Sequence, residues 1–385
     1  MTERKLNRAR LEALLRARTE ADLADGRVGG CAMMVRQDGE VVTEAVFGER
    51  IPGEGVPMTA DTVFRMASMT KPVTAVAVLM QVARGKIGLD DPVADYLPAY
   101  AHMHTGALQN GEIMTGPEIP HPVRVRHLLT HSSGIGSMEL GDVVFSKMAP
   151  ADRRTLADAV AYYAAQPLAF APGSAQAYSP VAAFDVLAHL VELTADEPYD
   201  AFLARELFAP LGMTDTGFAP TEAQWARMAG LHNRTAEGKS VTDHGMDHFI
   251  FGDFPLTYFC GGAGLYSTLA DYASFAEMLL REGKTPEGKT LLPAGWIRDM
   301  RTPQLPANVM SGDQVWGLGV RVIQGEHYCR LPHGAYGWSG AYGTHFWVDP
   351  TDRVTAVYMK NSAYDGGAGA TTANHFEEDV EAAFL

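Results

Sequence analysis

Apolar positions along the chain change period from segment to segment. Leu6, Leu11, Leu14 and Leu15 give one apolar face to an Arg-, Ala- and Glu-rich stretch over residues 3–24, which predicts an amphipathic helix. Cys31 to Val35 and Glu40 to Phe47 are apolar-rich runs on either side of Asp38-Gly39, the pattern of a β-hairpin. Gly53, Gly55 and Pro57 mark a loop, and Thr62 to Met66 leads into Ser68-Met69-Thr70-Lys71. Pro72 to Ala83 is apolar nearly all round, so this helix is expected to be central and buried, with Pro72 in the first turn, where a missing N–H costs least.

Gly88-Leu89-Asp90-Asp91-Pro92 closes that unit. Residues 93 to about 250 carry short helical patterns, such as Thr155 to Ala165 and Ala182 to Glu192, with few strand-like runs. His102 to His121 reads as a loop rich in Gly and Pro. Strand signals return after Thr257. Val315 to Ile323 alternates around glycines, and Gly343 to Val348 and Val354 to Met359 flank Asp349-Pro350-Thr351-Asp352 as a second hairpin. Ala270 to Arg281 is a helix between these strands. Strands at both ends and helices between them predict an α+β fold. An antiparallel sheet flanked by helices is expected from residues 1–87 and 255–385, with a mostly helical lobe, 88–254, inserted and a site at the seam.

Composition narrows the functional classes. The 385 residues carry a formal net charge of -15 and contain no basic block, which disfavours nucleic acid or an anionic membrane as partner. The N-terminal Met1-Thr2-Glu3-Arg4-Lys5 and the charged stretch after it lack the apolar core of a secretory signal, and no apolar run has the length of a membrane span. Cys31, Cys260 and Cys329 are odd in number and far apart, which argues against a disulfide framework or a cysteine zinc site. The expectation is a cytoplasmic protein with reduced thiols.

Ser68 and Lys71 stand at i and i+3 just ahead of the buried helix, so they share a face. An amine held against a hydroxyl can take its proton and turn a weak nucleophile into a useful one. The positive end of the helix favours an oxyanion developing there. The same residues also fit a capped helix start with a solvated lysine, so the other segments decide. Acyl transfer needs a group to manage the proton, donors for the oxyanion and a wall for the acyl group. Pro172-Gly173-Ser174-Ala175-Gln176-Ala177-Tyr178-Ser179-Pro180 places Tyr178 on a loop, where a phenol near an ammonium would ionise more easily and could shuttle protons. Gly337-Trp338-Ser339-Gly340-Ala341-Tyr342-Gly343 is a glycine-interrupted strand that could lie against substrate and offer the Ala341 N–H to an oxyanion. Cys260-Gly261-Gly262-Ala263-Gly264-Leu265-Tyr266-Ser267-Thr268 lacks the ending of a phosphate-binding loop and reads as a tight turn near a site or a packing turn.

These segments together resemble the serine β-lactamase-like family that holds class C β-lactamases, D-alanyl-D-alanine carboxypeptidases and family VIII carboxylesterases. The matches run in family order through Phe64-Arg65-Met66-Ala67-Ser68-Met69-Thr70-Lys71, Val125-Arg126-His127-Leu128-Leu129-Thr130-His131-Ser132-Ser133-Gly134, Pro172-Gly173 with Tyr178-Ser179, Gly261 to Thr268, and Trp338-Ser339-Gly340. The resemblance implies the β-lactamase/DD-peptidase-like fold, Ser68 as acylated nucleophile and Lys71 with Tyr178 as the acid/base pair. It also implies an oxyanion hole from the backbone N–H groups of Ser68 and Ala341. Two departures bear on substrate. Pro180 stands where β-lactamases of this family carry the Asn of Tyr-x-Asn, and Trp338 stands where they carry the Lys of Lys-Thr-Gly. A carboxylate binder has lost its charge and gained an aromatic wall, which resembles the esterase and acyltransferase members.

The expected function is therefore a cofactor-free serine hydrolase acting on carboxylic esters, closest in motifs to family VIII carboxylesterases. Trp338, Ser339, Gly340, Tyr258, Trp316 and Tyr342 are expected to line the substrate. A small-molecule ester or amide is the expected partner. A β-lactamase or D-amino-acid peptidase, an acyltransferase and a non-catalytic ligand-binding relative are the alternatives. Competing chemistry is thin. His127 and His131 stand at i and i+4 of an expected helix, but Leu128 occupies the zincin glutamate position. Asp243-His244-Gly245-Met246-Asp247-His248 fits no standard metal spacing, and His102 and His104 read as surface residues. Ser132 and Ser133 have no base nearby in sequence, and no Gly-x-Ser-x-Gly elbow occurs.

Overall fold

The computed structural model describes residues 4–234, 240–243, 257–325 and 330–385. An eight-stranded sheet forms its centre, in the order Gln314–Trp316, Arg321–Ile323, Tyr336–Ser339, His345–Asp349, Val354–Met359, Gly30–Gln37, Glu40–Ile51 and Val56–Pro57. Every neighbouring pair is antiparallel. The first and last thirds of the chain meet where Ala32 to Gln37 pair with Val354 to Met359. Asp38 and Gly39 both have positive φ, 55° and 85°, so the expected hairpin turns as that dipeptide allows.

Both faces of the sheet are covered. Ala32, Met34, Phe346, Val348, Val357 and Met359 point into the larger core, which contains the helices Thr70–Ala83 and Leu269–Leu280. Their neighbours Met33, Val35, Trp347, Ala356 and Tyr358 point the other way, into a second core formed with the Arg8–Ala24 and Thr371–Ala382 helices. The strands alternate, yet both faces are apolar, which explains why the sequence shows continuous apolar runs. Every residue from Thr70 to Gln81 is buried, as an all-round apolar helix requires.

Helices dominate between Val93 and Leu211, including Leu156–Ala164 and Ala182–Ala195 where the pattern predicts them. Three local expectations fail. His102 to His121 is not a loop: His104–Gln109 and Glu112–Glu118 pair antiparallel around Asn110-Gly111, whose φ values of 53° and 81° suit a tight hairpin turn. Gly106, Gly116 and Pro117 mask that signal. Val315 to Ile323 is two strands, Gln314–Trp316 and Arg321–Ile323, because Gly319 turns the chain at φ 76°. The helix carrying His127 ends at Leu129, and His131 has a φ of 55°, so the two histidines share no helix face. His244 and His248 lie outside the described residues.

Candidate active site

Ser68 lies in the short Ala67–Met69 turn that opens into the Thr70–Ala83 helix. The turn is fastened on several sides. Val63–Arg65 pairs with Tyr266–Thr268, and Met66 N–H donates to Leu265 O. The Thr70 hydroxyl donates to Ala67 O at 2.7 Å, and Tyr272 OH donates to Met69 O at 2.8 Å. Ala67 is held at φ 46°, a left-handed conformation that costs a non-glycine residue about 1–3 kcal/mol and persists where surrounding contacts over-determine it. The strain sits directly before the serine.

Lys71 is fully buried one turn later. Its Nζ lies 3.1 Å from Ser68 Oγ, 2.6 Å from Pro180 O and 2.8 Å from Gly262 O. The two carbonyls can hold two N–H groups whether the amine is charged or neutral. Only the position facing Ser68 changes, from N–H to lone pair, when a proton moves. Aromatic faces close the rest of the cage, with the Tyr178 ring centroid 4.9 Å and the Phe184 centroid 5.5 Å from Nζ.

The Tyr178 hydroxyl accepts a hydrogen bond from Trp338 Nε1 at 3.2 Å. Trp316 stacks on Tyr178 with centroids 6.0 Å apart and an interplanar angle of 17°, and it lies 4.5 Å from the Trp338 ring. His131 completes the cluster at 4.5 Å from both Tyr178 and Trp316. Its Nδ1 accepts from Ser179 N–H at 3.0 Å, which assigns the proton to Nε2, and Nε2 has no partner among the described residues. Burial, then the Lys71 ammonium, hold this imidazole well below its usual range, so it is neutral.

Gly340 brings the Tyr336–Ser339 strand against the serine turn. A Cβ there would lie 2.2 Å from Thr344 Oγ1 and 2.3 Å from Met66 O. Ala341 follows at the exposed end of the strand, and the half-buried Tyr342 comes next, its carbonyl accepting from Ser362 N–H. Two expected substrate residues are turned elsewhere. Ser339 pairs with His345 across the sheet, and its hydroxyl lies 2.8 Å from His345 Nδ1, on the face opposite Trp338. His345 Nε2 is in turn 3.1 Å from Glu377 Oε1, and Arg321 is 2.8 Å from the same oxygen. Tyr258 is buried, and its hydroxyl donates to Asp185 Oδ2 at 2.5 Å. Residue spacing carries no sign of either partner. Ser132 and Ser133 are buried and bonded locally, Ser132 to Thr130 and Ser133 to Ile135 N–H. The Cys260 to Thr268 turn does meet the site, through the carbonyls of Gly261 on Thr74 and Gly262 on Lys71.

Sequence reasoning thus brings Ser68, Lys71, Tyr178, Trp338, Trp316 and Gly340 to one place. It misses His131, Asp185 and the carbonyls of Pro180 and Gly262. The arrangement offers an amine-contacted hydroxyl at a helix start, directly after the strained Ala67 and beside a phenol and an aromatic wall. The beta-lactamase family model matches residues 15–378. The chain belongs to the beta-lactamase family. Among relatives in this family, Esterase EstB of Burkholderia gladioli is 31% identical, over 95% of this chain and 94% of its own length. Penicillin-binding protein 4 of Amycolatopsis lactamdurans is 30% identical, over 89% of this chain and 84% of its own length. The solved structure of EstCE1, described as a hydrolase with promiscuous acyltransferase activity, superposes with a TM-score of 0.81 at 25% identity, covering 97% of this chain and 99% of the other.

Proposed function

We propose that this beta-lactamase-family chain is a serine hydrolase that acts on carboxylic esters through an acyl-enzyme on Ser68. Ser68 Oγ attacks the ester carbonyl carbon, and its proton passes to the Lys71–Tyr178 pair. The same pair returns a proton to the departing alcohol. Water then adds to the acyl carbon, and Ser68 leaves as the carboxylic acid forms. The backbone N–H groups of Ser68 and Ala341 take the developing oxyanion. Trp338 and Trp316 wall the acyl or alcohol side, with Tyr342 at the strand end.

One observation carries this reading: Lys71 Nζ is held by two carbonyls so that its remaining valence meets Ser68 Oγ at 3.1 Å. Trp338 and Pro180 favour neutral esters over β-lactams, since neither offers a cation or an amide to an anionic drug. The EstB relative supports esters as the substrate class. The reading also takes residues 1–87 with 255–385 as one lobe and 88–254 as the other. The sheet drawn from both ends of the chain supports this division. It retains a cytoplasmic setting, supported by Cys31 and Cys260 being free thiols. Among the described residues no helix is long and apolar enough to cross a membrane.

The test is mass spectrometry after reaction with a p-nitrophenyl phosphonate. An adduct on Ser68 is expected, and Ser68→Ala should lower ester turnover at least about 10³-fold. An adduct elsewhere, or an active alanine variant, would sink the assignment.

A further inference from the structure

We infer that Asp185 is a positioning residue for Lys71, clamping the Tyr258–Gly262 turn so that the Gly262 carbonyl holds the amine against Ser68, and that loss of its charge sets the acid limit of activity. This rests on the acyl-enzyme reading above and adds a residue to it.

Asp185 is fully buried in the first turn of the Ala182–Ala195 helix, the helix that follows Tyr178 and Pro180. Its carboxylate gathers one short segment. Tyr258 OH donates to Oδ2 at 2.5 Å and Gly261 N–H donates to Oδ1 at 2.9 Å, with the Cys260 thiol and the Gly262 N–H also favouring the ionised form. The same glycines turn their carbonyls toward the serine helix. Gly261 O accepts from the Thr74 hydroxyl at 2.7 Å, and Gly262 O accepts from Lys71 Nζ at 2.8 Å. The turn is a backbone bridge with an anion on its N–H side and the catalytic amine on its C=O side.

Only glycine permits this contact. A Cβ on Gly261 would lie 2.4 Å from Phe184 O, and one on Gly262 would lie 2.8 Å from Val181 Cα. The bridge therefore lies flat on the helix that carries Asp185, and any shift of the carboxylate's bonds moves the Gly262 carbonyl. Lys71 would lose one of two carbonyl restraints, and the valence facing Ser68 would no longer be aimed. A displacement of about 1 Å at a reacting group lowers rates roughly 100-fold.

Burial raises the Asp185 carboxyl to about 6, against the bonds from Tyr258 and Cys260 that favour the anion. The titratable groups around it are Tyr258 and Cys260 on the turn, Tyr163, Tyr100 and Tyr199 from the surrounding elements, and Lys71 beyond the turn. Burial holds all four phenols and the thiol above their usual ranges, so none of them changes charge near pH 6. Protonation removes the charge that strengthens the bonds from Tyr258 O–H and Gly261 N–H, so the hold on the turn weakens. Asp185 is ionised above its pKa, so the holding form is lost as pH falls.

The experiment measures kcat and KM for a p-nitrophenyl ester across pH 4.5–9, a range of about two units either side of neutral, in wild type, Asp185→Asn and Tyr258→Phe. Phosphonate labelling of Ser68 is timed in parallel. Wild type should show an acid limb near 6 in kcat/KM. Asp185→Asn should lower kcat roughly 10- to 100-fold with KM little changed, slow Ser68 labelling equally and lose that limb. Tyr258→Phe removes a bond that favours the anion, so its limb should move to higher pH. A folded Asp185→Asn enzyme with wild-type kcat and an unaltered limb overturns the inference, as does a Tyr258→Phe limb that stays in place. If Asp185→Asn does not fold, the Tyr258→Phe limb decides alone. Prompt labelling of Ser68 in wild type keeps the acyl-enzyme reading standing in every one of these cases.

Discussion

Gly340→Ala tests whether the Trp338 strand must touch the serine turn. The new Cβ would sit 2.2 Å from Thr344 Oγ1 and 2.3 Å from Met66 O. An ordinary carbon–oxygen contact is about 3.3–3.5 Å, so roughly 1 Å of separation must be found. Thr344 can rotate its hydroxyl away only by giving up its 3.0 Å bond to Met66 O. The Met66 carbonyl cannot retreat freely, because Ala67 at φ 46° and Ser68 follow it directly. The strand must therefore move, and with it Trp338 and the Ala341 N–H proposed for the oxyanion. A 1 Å error at that position is expected to lower kcat about 100-fold. Overpacking of this kind costs about 1–3 kcal/mol. At about 2.1 cal/mol/K of unfolding entropy per residue, that is a fall in Tm of about 1–4 °C.

The assay pairs ester kinetics with calorimetry, and Gly295→Ala is the control. Gly295 is exposed in the Ala294–Met300 helix, and a Cβ added to it would meet nothing within 4 Å. That change should leave kcat alone and raise stability by about 0.5–1 kcal/mol. A Gly340→Ala enzyme within threefold of wild type would refute the claim that close approach of this strand to Ser68 matters.

Trp338→Phe removes the indole N–H that meets the Tyr178 hydroxyl at 3.2 Å. The loss of one hydrogen bond, about 0.5–1.5 kcal/mol, should lower kcat about 2- to 10-fold with a smaller change in KM for a short ester, and unchanged steady-state kcat counts against a role for that bond. Glu377→Gln should destabilise the fold by about 3–5 kcal/mol in urea titration at neutral pH, because it removes the buried carboxylate that Arg321 and Arg330 both contact. Burial alone would raise the Glu377 carboxyl, but His345 and Arg321 overcome it and hold the group below the usual range. Its contribution is therefore complete above the ordinary carboxylate pKa and is lost as pH falls, so the urea midpoints of wild type and variant should converge below about pH 4.

What the residues alone reveal is local or periodic. Ser68 and Lys71 are one turn apart, so their contact follows from helix geometry. Two of the sheet's hairpins follow from Asp38-Gly39 and from the runs around Asp349. Tyr178 is legible only through its surrounding motif, since a loop tyrosine has no period. The failures have definite causes. The motif puts Ser339 beside the substrate with Trp338, but neighbours on a strand face opposite ways, and the choice of face is made by pairing with His345. Tyr258 is expected in the pocket wall, yet its hydroxyl is committed to a carboxylate 73 residues away in sequence. Pro180 stands out in the sequence for the side-chain donor it lacks, whereas the structure uses its carbonyl. Backbone acceptors carry no residue-type signal, so the cage that aims Lys71 is invisible until the chain is folded.

The two most informative buried carboxylates in this fold respond to pH in opposite directions, and that contrast separates stability from chemistry. Glu377, on the sheet face away from Ser68, lies below the usual range, so its ionised form supports the fold. Asp185, one backbone turn from Lys71, is raised from 3.8 to about 6, so the folded protein holds its proton more tightly than the unfolded chain does. Stability from Asp185 is present below pH 4 and is lost as pH rises through about 6, a cost of about 3 kcal/mol at neutral pH. A residue placed only for stability would be expected to carry no such penalty, and an uncharged side chain could fill the same space. The charge is retained where it orients the Gly262 carbonyl toward the amine. Between about pH 4 and 6, the Asp185 contribution to stability should therefore rise as pH falls while ester turnover declines, an opposition that general acid unfolding cannot produce.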